Sequence, residues 1–132
     1  LEIDCGFGCD YLFAGGIRMT RAAPERAIQI AIKRRLALSG VVCHHSPNAA
    51  KRSVIGGRML KAEGMITGWP DLTLVGPDKR VAFLEVKAPK GRTSAAQDDC
   101  LAMLRRMGHD VAVVRSQDDA VLMLQEWGWN VR

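Results

Sequence analysis

Aromatic side chains are scarce in this sequence: Phe, Trp and Tyr together make up 5% of 132 residues. With 48% of the chain hydrophobic, the core must therefore be filled mainly by aliphatic side chains. Long apolar runs are missing as well. LFAGGI, residues 12–17, falls far short of the roughly 18 residues that a membrane-spanning helix needs, so a soluble, cytoplasmic protein with no membrane partner is expected. The four cysteines, at positions 5, 9, 43 and 100, have neither CxxC spacing nor the density of a disulfide scaffold, and reduced thiols are the expectation. Cys43, His44 and His45 suggest zinc by residue type. Adjacent side chains on an extended segment point to opposite faces, however, so no zinc site is expected there. Internal repeats and low-complexity linkers are also lacking, and the length suits one globular domain.

The middle of the chain lacks acids. Between Arg21 and Lys61 nine basic residues stand against Glu25 alone, while the net charge of the whole chain is +5. A surface that tracks nucleic-acid phosphates needs such a basic half, because neutralised phosphates release counterions; a solvated helix face would have the same composition. Residues 1–18 are of another kind. They hold two of the four cysteines, show no sustained period and open acidic, unlike a signal peptide. They are expected to be an extension, with the domain proper running over 19–132.

From there the pattern is regular. PERAIQIAIKRRLAL, residues 24–38, predicts a helix: Pro24 suits the first helical position, Glu25 the positive end of the dipole, and Gly40 follows the end. At 3.6 residues per turn, Glu25 falls within about 60° of Ile28, Ile32 and Leu36, so it points along the apolar stripe. VVCHHS, 41–46, reads as a strand, and a short helix is expected around Gly57 to Ala62. Ser94 and Gln97 have capping-box spacing for a helix over 94–107, in which Gln97, Leu101 and Leu104 share the face toward the sheet. DVAVVR, 110–115, is the next strand, and Ser116 caps a last helix to about Trp127. A strand, helix, strand run of this length predicts parallel pairing, and the element order predicts an α/β fold: an αβα sandwich around a central mixed β-sheet.

The stretch GWPDLTLVGPDKRVAFLEVKAPKG, residues 68–91, carries charge where a buried hairpin should not. A turn centred on Asp78 pairs Val75 with Val81 and Thr73 with Phe83, and it sets Asp71 opposite Glu85. Facing carboxylates repel, and Lys87 lies on the same side as Glu85, one step along. A divalent cation relieves that repulsion, since Mg²⁺ binds through one or two carboxylates and completes its shell with water or phosphate oxygens. A surface hairpin with solvated charges is the alternative; it requires the turn to slip by one residue.

Pro70-Asp71 followed by Glu85-Val86-Lys87 resembles the PD-(D/E)XK signature of restriction-endonuclease-like nucleases. The surrounding blocks are more specific: PERAIQIAIKRRLALSGVV, SPNA, KAEGMITGWPDLTLV and VAFLEVKAPKGRTSAAQDDCLAMLRRMGHDVAVVRSQDD. Together they resemble the virus-type replication-repair nuclease (VRR-NUC) family, known from phages and bacteria, over about Ala23 to Trp127. The resemblance implies a Mg²⁺- or Mn²⁺-dependent phosphodiesterase whose catalytic residues are Glu25, Asp71, Glu85, Lys87 and Gln97. Asp71, Glu85 and the Val86 carbonyl are then the metal ligands, Lys87 positions or activates water and offsets phosphoryl charge, and Gln97 orients Lys87 or the nucleophile. Arg26, Lys33, Lys51, Arg52, Arg58, Lys61 and Lys90 would grip DNA phosphates without reading bases.

A junction-resolving endonuclease acting on branched DNA is the expected activity. An end-dependent or flap nuclease, and a non-catalytic nucleic-acid-binding module, are the rivals. Two symmetric cuts call for a homodimer. Trp127 and Trp129 near the C-terminus are expected either at its interface or closing the last helix onto the sheet.

Overall fold

The computed structural model describes residues 24–47 and 54–132. Residues 1–18, read above as an extension, and the basic Lys51 and Arg52 lie outside that range. The elements are α1 (Pro24–Ala37), β1 (Val42–His45), α2 (Val54–Ala62), β2 (Leu72–Val75), β3 (Val81–Val86), α3 (Ala95–Arg106), β4 (Asp110–Val114) and α4 (Gln117–Glu126). They form a mixed sheet in the order β1-β2-β3-β4. The first two pairings are antiparallel and β3 runs parallel to β4, as a strand, helix, strand unit requires.

Alternation along the strands sorts the core into two layers. Leu72, Leu74, Ala82, Leu84, Val86, Ala112 and Val114 pack with Ile32 and Leu36 of α1 and with Ala120, Val121 and Leu124 of α4. On the opposite side, Phe83 and Val111 pack with Cys100, Leu101 and Leu104 of α3. The sheet therefore lies between α1 and α4 on one face and α3 on the other, an αβα sandwich. Its few aromatics are spread thinly: Trp69 meets Phe83 edge-on at 5.5 Å, and His109 meets the same ring at 5.4 Å.

The hairpin has the expected register. Leu72 pairs with Leu84, Thr73 with Phe83 and Val75 with Val81. Asp78 and Lys79 take positive φ at the tip, the conformation that lets a tight turn follow the right-handed twist of its strands. Both predicted caps of the later helices are present. The Ser94 hydroxyl accepts from the Gln97 N–H while the Gln97 side chain accepts from the Ser94 N–H, and the Ser116 hydroxyl accepts from the Asp119 N–H.

One expectation needs correcting. The short middle helix starts at Val54 rather than near Gly57, continuing through Gly56 and Gly57 although each glycine disfavours a helix by about 1 kcal/mol. None of its residues is buried. Of the two places expected for the C-terminal tryptophans, the closing of the last helix is the one seen: Trp129 is buried in the α1/α4 layer, and Trp127, the C-cap of α4, packs half-buried against it.

Candidate active site

The sheet positions its charges at the end of β3. Phe83 and Glu85 point toward α3, and Lys87 continues that side just past the strand end. Asp71 immediately precedes β2, one step beyond the Leu72–Leu84 pair, which sets it across from Glu85. Its Oδ2 accepts the Val86 N–H at 2.9 Å, a side-chain bond where the ladder has ended. Its carbonyl accepts the Ser46 N–H at 2.9 Å and lies 3.1 Å from His45 Nδ1, both at the end of β1. Gly68 brings the preceding loop in. At φ +82° it passes so close to Ala96 at the start of α3 that a side chain there would strike backbone.

Glu85 is fully buried. Its Oε1 receives Gln97 Nε2 at 2.5 Å and Lys87 Nζ at 2.9 Å, while Oε2 has no hydrogen-bond partner. Burial pushes the Glu85 carboxyl up to about 7; the Lys87 hydrogen bond works against that push and the Asp71 charge adds to it. For Lys87, burial lowers the pKa, but the hydrogen bond and charge of Glu85, with Glu25 and Asp71 behind it, outweigh burial and leave it raised. The side chain is thus held as a cation. Cys100, under the carboxylate, has its thiol pushed up by burial and by the Glu85 charge.

Gln97 has two jobs at once. Its Oε1 caps α3 by accepting the Ser94 N–H at 2.9 Å, and its Nε2 donates to Glu85. Capping and the contact with Glu85 use opposite ends of one amide. Glu25 reaches the same place from α1, where its Oε1 accepts the Ala88 N–H at 3.3 Å. The structure therefore brings Glu25, Asp71, Glu85, Val86, Lys87 and Gln97 together.

Beside them an open cleft of ≈ 740 Å³ runs between α1 and β1, lined by Glu25, Arg26, Lys33, His44 and Asp71 among others. Arg26 and Lys33 are exposed along it. Arg58 and Lys61 are exposed on α2 and Lys90 on the turn after β3, outside the residues that line this cleft. Reading the sequence missed His45 on the Asp71 carbonyl, and Arg115, which donates to the carbonyls of Ala88 and Gly91. No local pattern marks either one.

The donor set fits a hard divalent cation. An unfilled oxygen on a buried carboxylate and a second carboxylate opposite are oxygen ligands too few to enclose an ion. Mg²⁺, which keeps several waters, is bound by sets of this kind. Among the described residues no group of three or more His, Cys, Asp or Glu stands together as a ready-made metal cage.

Residues 22–118 match the VRR-NUC domain, a nuclease-type domain. That span is well over half of the sequence, and the chain belongs to the VRR-NUC family. Two solved structures agree. A protein described as a VRR_NUC domain is 25% identical, with a TM-score of 0.58 over 80% of this chain and 97% of its own. A second, a VRR_NUC domain protein, is 19% identical with a TM-score of 0.60 over 82% of this chain and 90% of its own, and speaks for the fold alone. A search of curated proteins found no match.

Proposed function

We propose that this chain is a metal-dependent DNA endonuclease that cuts branched duplexes in the manner of a junction resolvase. The observation that carries the reading is Glu85: a fully buried carboxylate, opposite Asp71, with one oxygen held by Lys87 and Gln97 and the other without a partner. Burying an acid this way costs stability that packing does not return, and a site for a cation accounts for it.

Asp71, Glu85 and the Val86 carbonyl would hold Mg²⁺ or Mn²⁺. When bound, such an ion polarises the scissile phosphate and makes a water more acidic. The chain's own groups do the rest. Lys87 directs a fixed positive charge at the place where phosphoryl oxygens gain negative charge. Gln97 holds the Glu85 carboxylate in one orientation from the start of a capped helix. Glu25 fixes the backbone after Lys87 through the Ala88 N–H. Arg26 and Lys33 along the cleft, with Arg58, Lys61 and Lys90 around it and Lys51 and Arg52 in the connection before α2, bind phosphates and read DNA shape over sequence.

Labelled four-way junctions, flaps, nicked circles and linear duplexes incubated with either metal test this directly. Paired incisions in the junction and nicking of circles are expected, and EDTA should stop both. An enzyme that spares every circular substrate is end-dependent instead, and a protein that binds DNA in EDTA yet cuts nothing in either metal is a binding module. The proposal includes a homodimer, because paired cuts need two sites. Light scattering with and without junction DNA would show it; a monomer in both conditions that still makes paired incisions removes the dimer.

A further inference from the structure

The turn that follows β3 is held by a side chain from the far end of the crossover. Arg115, the residue after β4, donates from one guanidinium nitrogen to the carbonyls of Ala88 at 2.6 Å and Gly91 at 2.8 Å. The Ala88 carbonyl also accepts the Gly91 N–H at 2.9 Å, which closes the turn Ala88-Pro89-Lys90-Gly91. The N–H of the same Ala88 donates to Glu25 Oε1. Gly91 is bare where a Cβ would stand 3.4 Å from that carboxylate oxygen and 3.3 Å from the Ala88 backbone. One residue earlier, the Lys87 N–H is tied to the Val114 carbonyl at 3.0 Å.

Arg115 is itself braced. Its backbone N–H donates to Asp119 Oδ2 at 3.0 Å, and the Asp119 N–H donates to the N-cap Ser116 at 3.0 Å. Its guanidinium forms no ion pair among the described residues, where the single salt bridge is Lys87 to Glu85. A half-buried cation whose hydrogen bonds go to two carbonyls of one turn acts on the backbone, and that backbone follows Lys87 and touches Glu25.

We propose that Arg115 is a positioning residue of the nuclease site: by clamping the 88–91 turn it sets where Glu25 stands relative to Lys87, Asp71 and Glu85. The inference rests on the nuclease reading given above. A direct contact to DNA phosphate and a general brace of the fold are the competing roles for such an arginine, and each moves a different quantity.

The test uses the full chain with Arg115→Met, Arg115→Lys, Glu25→Ala and the Arg115→Met/Glu25→Ala double variant. Arg115→Met should lower kcat about 30-fold at saturating DNA and metal while leaving KM within about twofold. Arg115→Lys should recover to within about fivefold of wild type, because one nitrogen makes both bonds. In the double variant, Glu25→Ala should cost several-fold less than it does alone, since the two residues act through Ala88. A raised KM at unchanged kcat would assign Arg115 to DNA phosphate, and full additivity would make it a brace only; either overturns the inference.

Amide hydrogen exchange gives a readout that needs no activity. Ala88 and Gly91 should exchange about tenfold faster in Arg115→Met, with Lys87, held by Val114, unmoved. Unchanged exchange at Ala88 and Gly91 overturns the clamp even in a protein that cuts DNA. Faster exchange in a chain whose wild type cuts no substrate overturns the nuclease reading instead, and with it the catalytic consequence drawn here.

Discussion

The two sides of β3 are built from alternate residues of one six-residue strand, yet they obey different rules. Toward α1 and α4 it presents Ala82, Leu84 and Val86, all fully buried and all aliphatic. Toward α3 it presents Val81 and Phe83 and then Glu85, just as buried, with Lys87 beyond. The first side does what hydrophobic burial predicts. The second gives up part of that stabilisation at one end to hold a carboxylate away from water, and the surrounding groups satisfy only one of its oxygens. Equal burial with unequal chemistry is what separates the packing face from the site.

If that contrast is functional, the largest effects should come from the site side and should be chemical rather than structural. Asp71→Asn, Glu85→Gln and Lys87→Ala are each expected to lower cleavage by at least about 10³-fold, or about 4 kcal/mol in the barrier. DNA binding measured in EDTA should stay within about threefold of wild type, since the exposed basic residues supply it. Near-normal turnover in any two of the three would leave the buried charges without the proposed role.

The packing side should answer the other way. Leu84→Ala, on the neighbouring residue, leaves a cavity between the sheet and the α1/α4 layer and should cost roughly 3 to 4 kcal/mol of stability by denaturant titration. The kcat of the folded fraction should stay within about threefold. A large kcat loss in that variant would show that the two sides are not separable.

Much of this contrast could be read from the sequence. The register of the hairpin followed from turn residues and alternation, which is why Asp71 could be set opposite Glu85 before any coordinates. Helical spacing put Glu25 on the apolar stripe and the distance to Ser94 made Gln97 a cap, while their place in the site came only from the family resemblance. What could not be read was how single groups are shared. Gln97 has two ends, and only geometry shows that capping uses one and Glu85 the other. Arg115 was silent because its partners are carbonyls, which every residue has, in a turn more than twenty residues away in the chain. The tryptophans stayed undecided in the sequence because burial of a C-terminal ring depends on where the last strand and helix lead it.

Acidity offers a sharper comparison of the two sides. Glu85 faces Lys87 and Gln97 at Oε1, Asp71 across the hairpin and Cys100 beneath, and its carboxyl titrates near 7 in the metal-free fold. Because that value lies above the 4.5 of an ordinary glutamate, the group's contribution to stability is full below pH 4.5, falls between 4.5 and about 7, and is absent above. The loss is at most about 3 kcal/mol. Glu85→Gln should remove this dependence, so metal-free wild type should lose stability relative to Glu85→Gln as pH rises from 5 to 8. Mg²⁺ or Mn²⁺ at pH 8 should then raise the Tm of wild type and not of Glu85→Gln. Parallel stability curves for the two proteins would mean that the buried acid carries no such cost.

The smallest expected effect compares two caps of the same kind on opposite sides of the sheet. Ser94 begins α3 and accepts the Gln97 N–H at 3.3 Å; Ser116 begins α4 and accepts the Asp119 N–H at 3.0 Å. Replacing either with alanine frees one helix N–H and should cost about 1 kcal/mol in stability. On stability alone the two should be indistinguishable. They differ in what the capped residue does next, because Gln97 carries its amide on to Glu85 while Asp119 points to the backbone of Arg115. In Ser94→Ala the Gln97 side chain can still accept from the backbone N–H of residue 94, so the amide is loosened rather than released. A fall in kcat of only about two- to threefold is therefore expected for Ser94→Ala, with Ser116→Ala smaller still. Equal kcat losses at equal stability cost would show that α3 holds Glu85 no more closely than α4 does, and the orienting role given to Gln97 would fall.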